Sequence, residues 1–183
     1  MRVLLYYLVG LLDKISYNQI EKIQKNLSEK YHLYTDLPML HVTLEIIEKP
    51  NNIADLVNII DSVLQDYNKF SITINGAICF DPPFKSVNLK VENKGTLIDL
   101  VYKLNFKLKA NGFKVRDNIE NWDFHISLAN TNFSLRQWSD EEFQEACLLM
   151  SKNYFCKEAI ITNIQLWEPI NDRDKMVVKN FIL

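Results

Sequence analysis

Glycine, proline, cysteine and histidine are all scarce, with 4 Gly, 5 Pro, 3 Cys and 3 His in 183 residues. So little Gly and Pro excludes a collagenous or low-complexity chain, and a hydrophobic content of 48% argues against disorder. The cysteines, Cys79, Cys147 and Cys156, are odd in number and show no CxxC spacing. That argues against a disulfide framework or a zinc site and leaves buried, reduced thiols as the expectation. Basic excess is missing too. Lys and Arg number 21 against 23 Asp and Glu, giving a net charge of -2. Holding long nucleic acid by its phosphates calls for positive charge, so no long DNA is expected as a partner, while a small anion in one local pocket is compatible. Finally, no apolar run approaches the ~20 residues of a transmembrane helix. The longest, Val3 to Leu12, follows Arg2 like a signal h-region but is succeeded by Asp13-Lys14-Ile15-Ser16 rather than a small-residue cleavage site. Its Val, Leu and Tyr suit a buried strand. A soluble, cytoplasmic, monomeric protein with no membrane partner is expected.

What is present reads as alternating elements. After the first strand, Ser16 serves as N-cap to a helix over Tyr17 to Tyr31 with apolar Ile20, Ile23 and Leu27. His41 to Ile47 reads as a strand, Ile53 to Tyr67 as a helix, and Phe70 to Phe80 and Ser86 to Glu92 as a strand pair split by Asp81-Pro82-Pro83. Leu97, Leu100, Val101, Leu104 and Leu108 mark a third helix stopped by Asn111-Gly112. Trp122 to Ala129 is a strand, Ser139 and Glu142 form a capping box opening a helix to about Ser151, and Phe155 to Trp167 and Met176 to Leu183 are closing strands. Strands paired in the middle and at the end favour an α+β fold with two largely antiparallel sheets over a doubly wound parallel one. No repeat or linker divides residues 1–183, so one domain is expected.

Two of the three histidines carry one tetrapeptide pattern, His41-Val42-Thr43-Leu44 and His125-Ile126-Ser127-Leu128. Average residue usage places it after a given His in roughly one case in 30, so two from three is on the order of one in 300 and calls for a chemical reason. In a strand, residues i and i+2 share a face. His41 then projects with Thr43, and His125 with Ser127, while the apolar residues between them anchor the core. Phosphoryl transfer needs a proton acceptor at the attacking oxygen and a donor at the leaving oxygen. Two imidazoles of ordinary pKa near 6.5 supply both near neutral pH, and hydroxyls can hold the non-bridging oxygens in line.

The paired H-x-[S/T]-hydrophobic motifs resemble the signature of the 2H phosphoesterase superfamily, whose members include bacterial 2'-5' RNA ligase-like proteins and RNA 2',3'-cyclic phosphodiesterases. Phe70 to Phe80 with Gly76, the helix ending at Gly112-Phe113, Ile164 to Trp167, and Asn180 to Leu183 resemble further parts of that pattern. The resemblance implies a single bilobal α+β domain with sheets flanking a central cleft, helices outside and no required metal or cofactor. It implies His41 and His125 as the acid/base pair and Thr43 and Ser127 as phosphate-holding hydroxyls. Two positions depart from the pattern. Phe124 stands where Pro is common, and Asn130 where a basic residue is common, which leaves neutralisation of the substrate to a cation from elsewhere.

Asp123 and, less favoured, Glu45 are candidate imidazole orienters, because each falls two residues from a motif residue and on its face. A 2-His-1-carboxylate metal site is a rival that leaves the paired hydroxyls unexplained. His32 reads as a helix-end residue. Trp122, Phe84 and Trp138 are candidate base-stacking rings against a prior of ordinary core burial. Lys85, Lys90, Lys114 and Arg116 are candidate phosphate neutralisers against a prior of a solvated charged face. The expected activity is metal-independent hydrolysis of 2',3'-cyclic phosphate RNA ends or of 2'-5' linked or cyclic short oligonucleotides, with a nucleotide or short RNA as substrate. The alternative is a non-catalytic sensor of phosphorylated nucleotides or RNA ends in the same cleft.

Overall fold

A computed structural model describes residues 4–153 and 155–183. In chain order the elements are β1 (Leu5–Leu12), α1 (Lys14–Tyr31), β2 (Val42–Glu48), α2 (Ile53–Leu64), β3 (Phe70–Phe80), β4 (Ser86–Val91), α3 (Gly95–Ala110), a 3-10 turn (Ile119–Asn121), β5 (His125–Ala129), α4 (Asp140–Lys152), β6 (Cys156–Trp167) and β7 (Val177–Ile182). The Val3 start expected for the first strand lies outside the described residues. Helix α1 begins earlier than Ser16 suggests. Asp13 is its N-cap, and the Asp13 carboxylate accepts from the Ser16 backbone N–H at 2.9 Å. Burial would raise the Asp13 carboxyl, but hydrogen bonds from the Ser16 hydroxyl and N–H and from the Ile160 N–H outweigh it and pull it down to about 2. His32 ends α1 in the left-handed conformation, φ 52°, and its backbone N–H rather than its ring caps Ser28. The Ser139–Glu142 capping box opens α4 as expected.

The fold is α+β and every strand pair is antiparallel. The expected two sheets are joined into one of seven strands, ordered β1-β2-β5-β4-β3-β6-β7, with β6 also pairing β1. The reason is the length of β6. Its first half, from Cys156 to Ile161, pairs β3, and its second half, to Trp167, pairs β1 and β7. The circuit closes on the far side through a single register pair, Val42 of β2 with Ile126 of β5. Helix faces supply the cover: Ile20 and Leu27 of α1, Leu56 and Ile60 of α2, and Leu100, Leu104 and Leu108 of α3 are buried against Leu8, Val42, Leu44, Leu89 and Ile126.

The cysteine expectation is corrected. Cys79 of β3 and Cys147 of α4 form a disulfide with Cα atoms 6.2 Å apart, and Cys156 is exposed. Spacing could not reveal it, because α4 packs on β3 across 68 residues of sequence. No helix among the described residues is long and apolar enough to cross a membrane.

Candidate active site

The narrow β2–β5 contact positions the motif residues. Val42 and Ile126 face each other and are fully buried. Strand alternation turns their neighbours, His41, Thr43, His125 and Ser127, to the opposite face, and all four are half-buried. Counting outward from that antiparallel pair, His41 falls toward Ser127 and Thr43 toward His125. A cavity of about 1300 Å³ opens on this face and is lined by His41, His125, Ser127 and Asp123 together with Asn88, Asn130 and a set of aromatic rings; Thr43 does not line it.

Both imidazoles are held in the same way. His41 Nδ1 is 2.8 Å from the Met39 carbonyl, and His125 Nδ1 is 2.7 Å from the Asp123 carbonyl. A carbonyl can only accept, so each Nδ1 carries the proton and each Nε2 is left for chemistry. Asp123 therefore orients His125 through its main chain, not through the carboxylate expected of it. Each ring also meets an aromatic edge, Trp167 against His41 at 4.7 Å between centroids and Phe80 against His125 at 4.9 Å. Burial pushes the His41 imidazolium from 6.5 down to about 4, and His125 adds to the depression. Burial also lowers His125, with Arg116 contributing, while the Asp123 carbonyl opposes the shift.

The Ser127 hydroxyl is prepared as a donor. Asn130 Nδ2 donates to Ser127 Oγ at 2.8 Å, which leaves the Oγ–H to point elsewhere. Asn130 is itself pinned on both sides by Tyr34, whose hydroxyl donates to the Asn130 carbonyl and accepts from its N–H, each at 2.8 Å. Burial pushes the Tyr34 phenol up to about 12, so it remains a neutral donor. Neither Tyr34 nor the Trp167 and Phe80 edges carry a signal in the sequence, since each reaches the site from a distant element. Asn130, visible there only as a departure, acts as the support of Ser127.

Glu45 is not an orienter. The β1–β2 register skips Leu44, pairing Leu8 with Glu45 and Val9 with Thr43. This bulge reverses the alternation, so Glu45 turns into the core instead of sharing the face of Thr43. There it accepts from Arg116 Nε at 2.8 Å and Asn105 Nδ2 at 2.7 Å. Arg116 also donates to the Leu44 carbonyl and stacks on Trp122, 3.7 Å from the ring centroid. Among the candidate stacking rings, Trp122 and Phe84 line the cavity, whereas Trp138 is core, 1% exposed, with Nε1 donating to the Lys85 carbonyl. Lys85 pairs with Asp140 at 2.5 Å and Lys114 with Glu48 at 3.0 Å. Among the described residues no group of three or more His, Cys, Asp or Glu is placed to hold a metal ion.

The fold is similar to solved structures over its whole length. A crystal structure of TT0787 of Thermus thermophilus matches with a TM-score of 0.70 and 13% identity, over 98% of this chain and 97% of that one. E. coli LigT complexed with 3'-AMP matches with a TM-score of 0.61 and 13% identity, over 100% and 99%. A structure described as a phosphoesterase gives 0.60 and 14%, over 100% and 99%. No curated protein matches the chain by sequence. A family model described as the 2'-5' RNA ligase superfamily matches residues 13–173.

Proposed function

The chain belongs to the 2'-5' RNA ligase superfamily of 2H phosphoesterases, and from that premise we propose a metal-independent phosphodiesterase that hydrolyses 2',3'-cyclic phosphate RNA ends or 2'-5' linked or cyclic short oligonucleotides. It acts as one bilobal domain without a cofactor. The observation that carries this reading is the matched pair of imidazoles in one cleft, each with Nδ1 committed to a carbonyl and Nε2 left available. A nucleotide-sized ligand suits the cavity, and the E. coli LigT complex with 3'-AMP supports a nucleotide as the ligand class.

His41 is depressed to about 4 and so is neutral across the working range; it acts as base, and His125 acts as acid. Water gives a proton to His41 Nε2 as its oxygen forms the new bond to phosphorus. The opposite P–O bond breaks, and the departing ribose oxygen takes the proton on His125 Nε2. The Ser127 Oγ–H donates to a non-bridging oxygen, and Thr43, on the same face but outside the cavity lining, is the secondary hydroxyl.

The test is product analysis on 2',3'-cyclic AMP and a 2'-5' linked diadenylate, with and without chelator. Turnover that survives chelator and falls by about 10²-fold or more in both His41→Ala and His125→Ala is expected. A p-nitrophenyl phosphodiester, whose leaving group needs no proton, should recover activity in His125→Ala but not in His41→Ala. Full activity in either variant on the nucleotide would end the two-His assignment, and binding without turnover would favour the sensor.

A further inference from the structure

The strand order β2-β5-β4 carries the polar row of the cleft beyond the two imidazoles. On β4, Asn88 is the register partner of Ser127 and Lys90 is the register partner of His125. Residues directly opposite in an antiparallel pair share a face, with Cβ atoms about 4.5–5.5 Å apart. Alternation agrees: Val87, Leu89 and Val91 are buried in the core, whereas Lys90 on the other face is exposed. By register Lys90 continues the row of Thr43 and His125, whereas His41 falls on the row of Ser127 and Asn88; Lys90 stands on the far side of β5 from β2, just outside the residues that line the cavity.

Charge makes this position matter. Among the described residues, the charged groups lining the cavity are Asp81, Asp123, Glu168 and Lys49, and Lys49 is already paired with Glu168 at 3.0 Å. Burial holds both imidazoles toward their neutral forms. A phosphate entering the cleft thus meets uncompensated carboxylates. Other cations nearby are committed, Lys85 to Asp140 and Arg116 to Glu45. Lys90 makes no ion pair or hydrogen bond among the described residues, and a lysine stem is long enough to reach past the imidazole beside it.

We propose that Lys90 forms a subsite for a second, non-reacting phosphate of the substrate, placed by its register opposite His125 on the side of the cleft away from His41. This rests on the phosphodiesterase reading and narrows it to substrates that carry a further phosphate beyond the scissile one. The reacting phosphorus lies between the two imidazoles, so a cation outside His125 meets what is attached to the oxygen that His125 protonates. An ammonium–phosphate contact of this kind is a charge-assisted hydrogen bond at a point charge.

The experiment compares a 2'-5' linked diadenylate with the same molecule bearing one extra terminal phosphate, at the 5' end or at the 3' end. One of the two phosphorylated forms should exceed its parent in kcat/KM by about tenfold. That preference should collapse toward unity in Lys90→Gln, return in Lys90→Arg, and weaken with salt more steeply in the wild type than in Lys90→Gln. No preference in the wild type, or the same preference in Lys90→Gln, overturns the subsite. If no ligand is turned over, the phosphodiesterase reading fails. The same ratios, read as dissociation constants by calorimetry, then decide the subsite.

Discussion

Under the proposed mechanism the two imidazoles, chemically alike, take different roles, and pH separates them. The base must be neutral and the acid protonated. As pH falls through about 4, His41 takes up a proton and the base is lost. As pH rises through the depressed pKa of His125, below the ordinary 6.5, the acid is lost. A bell-shaped kcat/KM profile with its maximum between about 4 and 6.5 is expected for free enzyme and small substrate, and a maximum above pH 7 would contradict it. The hydroxyls differ as well. Ser127 lines the cavity and is oriented by Asn130, whereas Thr43 does neither. Ser127→Ala should lower kcat/KM by about tenfold or more, and Thr43→Ala by less; steady-state kinetics with equal losses would show that the two hydroxyls share the phosphate evenly.

At the scale of elements, one extra residue in β2 decides what the strand does. Before the bulge Thr43 turns away from the core, and after it the same parity turns Glu45 into the core. Glu45 thereby becomes half of an ion pair that is buried on both sides, with side-chain exposures of 0% for Glu45 and 11% for Arg116. Removing one partner of such a pair strands the other charge, so Glu45→Gln should destabilise the fold by about 3–5 kcal/mol in a urea titration. A loss under about 1 kcal/mol would mean that Arg116 finds other acceptors. The pair also backs Trp122, which ties the stability of β2 to one wall of the cavity. Elements whose signals are local are legible from sequence. β3 runs from Phe70 to Phe80 as expected, and the α4 capping box forms both of its bonds. The start of α1 is misplaced by sequence reasoning because Asp13 and Ser16 are both good caps, and only the Ser16 N–H bond to Asp13 distinguishes them.

For the molecule as a whole, the disulfide joins β3, whose Cys79 lines the cavity, to α4 on the opposite side of the strand pair. Closing a loop of this length restrains the unfolded chain, so Cys147→Ser should cost about 2–4 kcal/mol under oxidising conditions. Dithiothreitol should lower the stability of the wild type to the same degree and leave the variant unmoved. A wild type indifferent to reductant would mean the thiols are not paired. The seven-strand circuit depends equally on long-range closure. β6 reaches both halves, and one Val42–Ile126 pair completes the ring, so the cleft exists only once strands from both ends of the chain have met.

The sequence alone determined what depends on neighbours along the chain. Strand and helix periodicity, the caps and the repeated His-x-hydroxyl pattern set the α+β class and marked His41, His125 and Ser127. Their faces follow from the two-residue period of a strand. Tertiary structure decided everything that depends on register between distant strands. It turned Glu45 inward, left Thr43 off the cavity lining, replaced the Asp123 carboxylate by its carbonyl, set Trp167 and Phe80 against the imidazoles, and brought Lys90 beside His125. Register between strands is fixed by packing and pairing over dozens of residues, and a shift of one position reverses which face a side chain occupies.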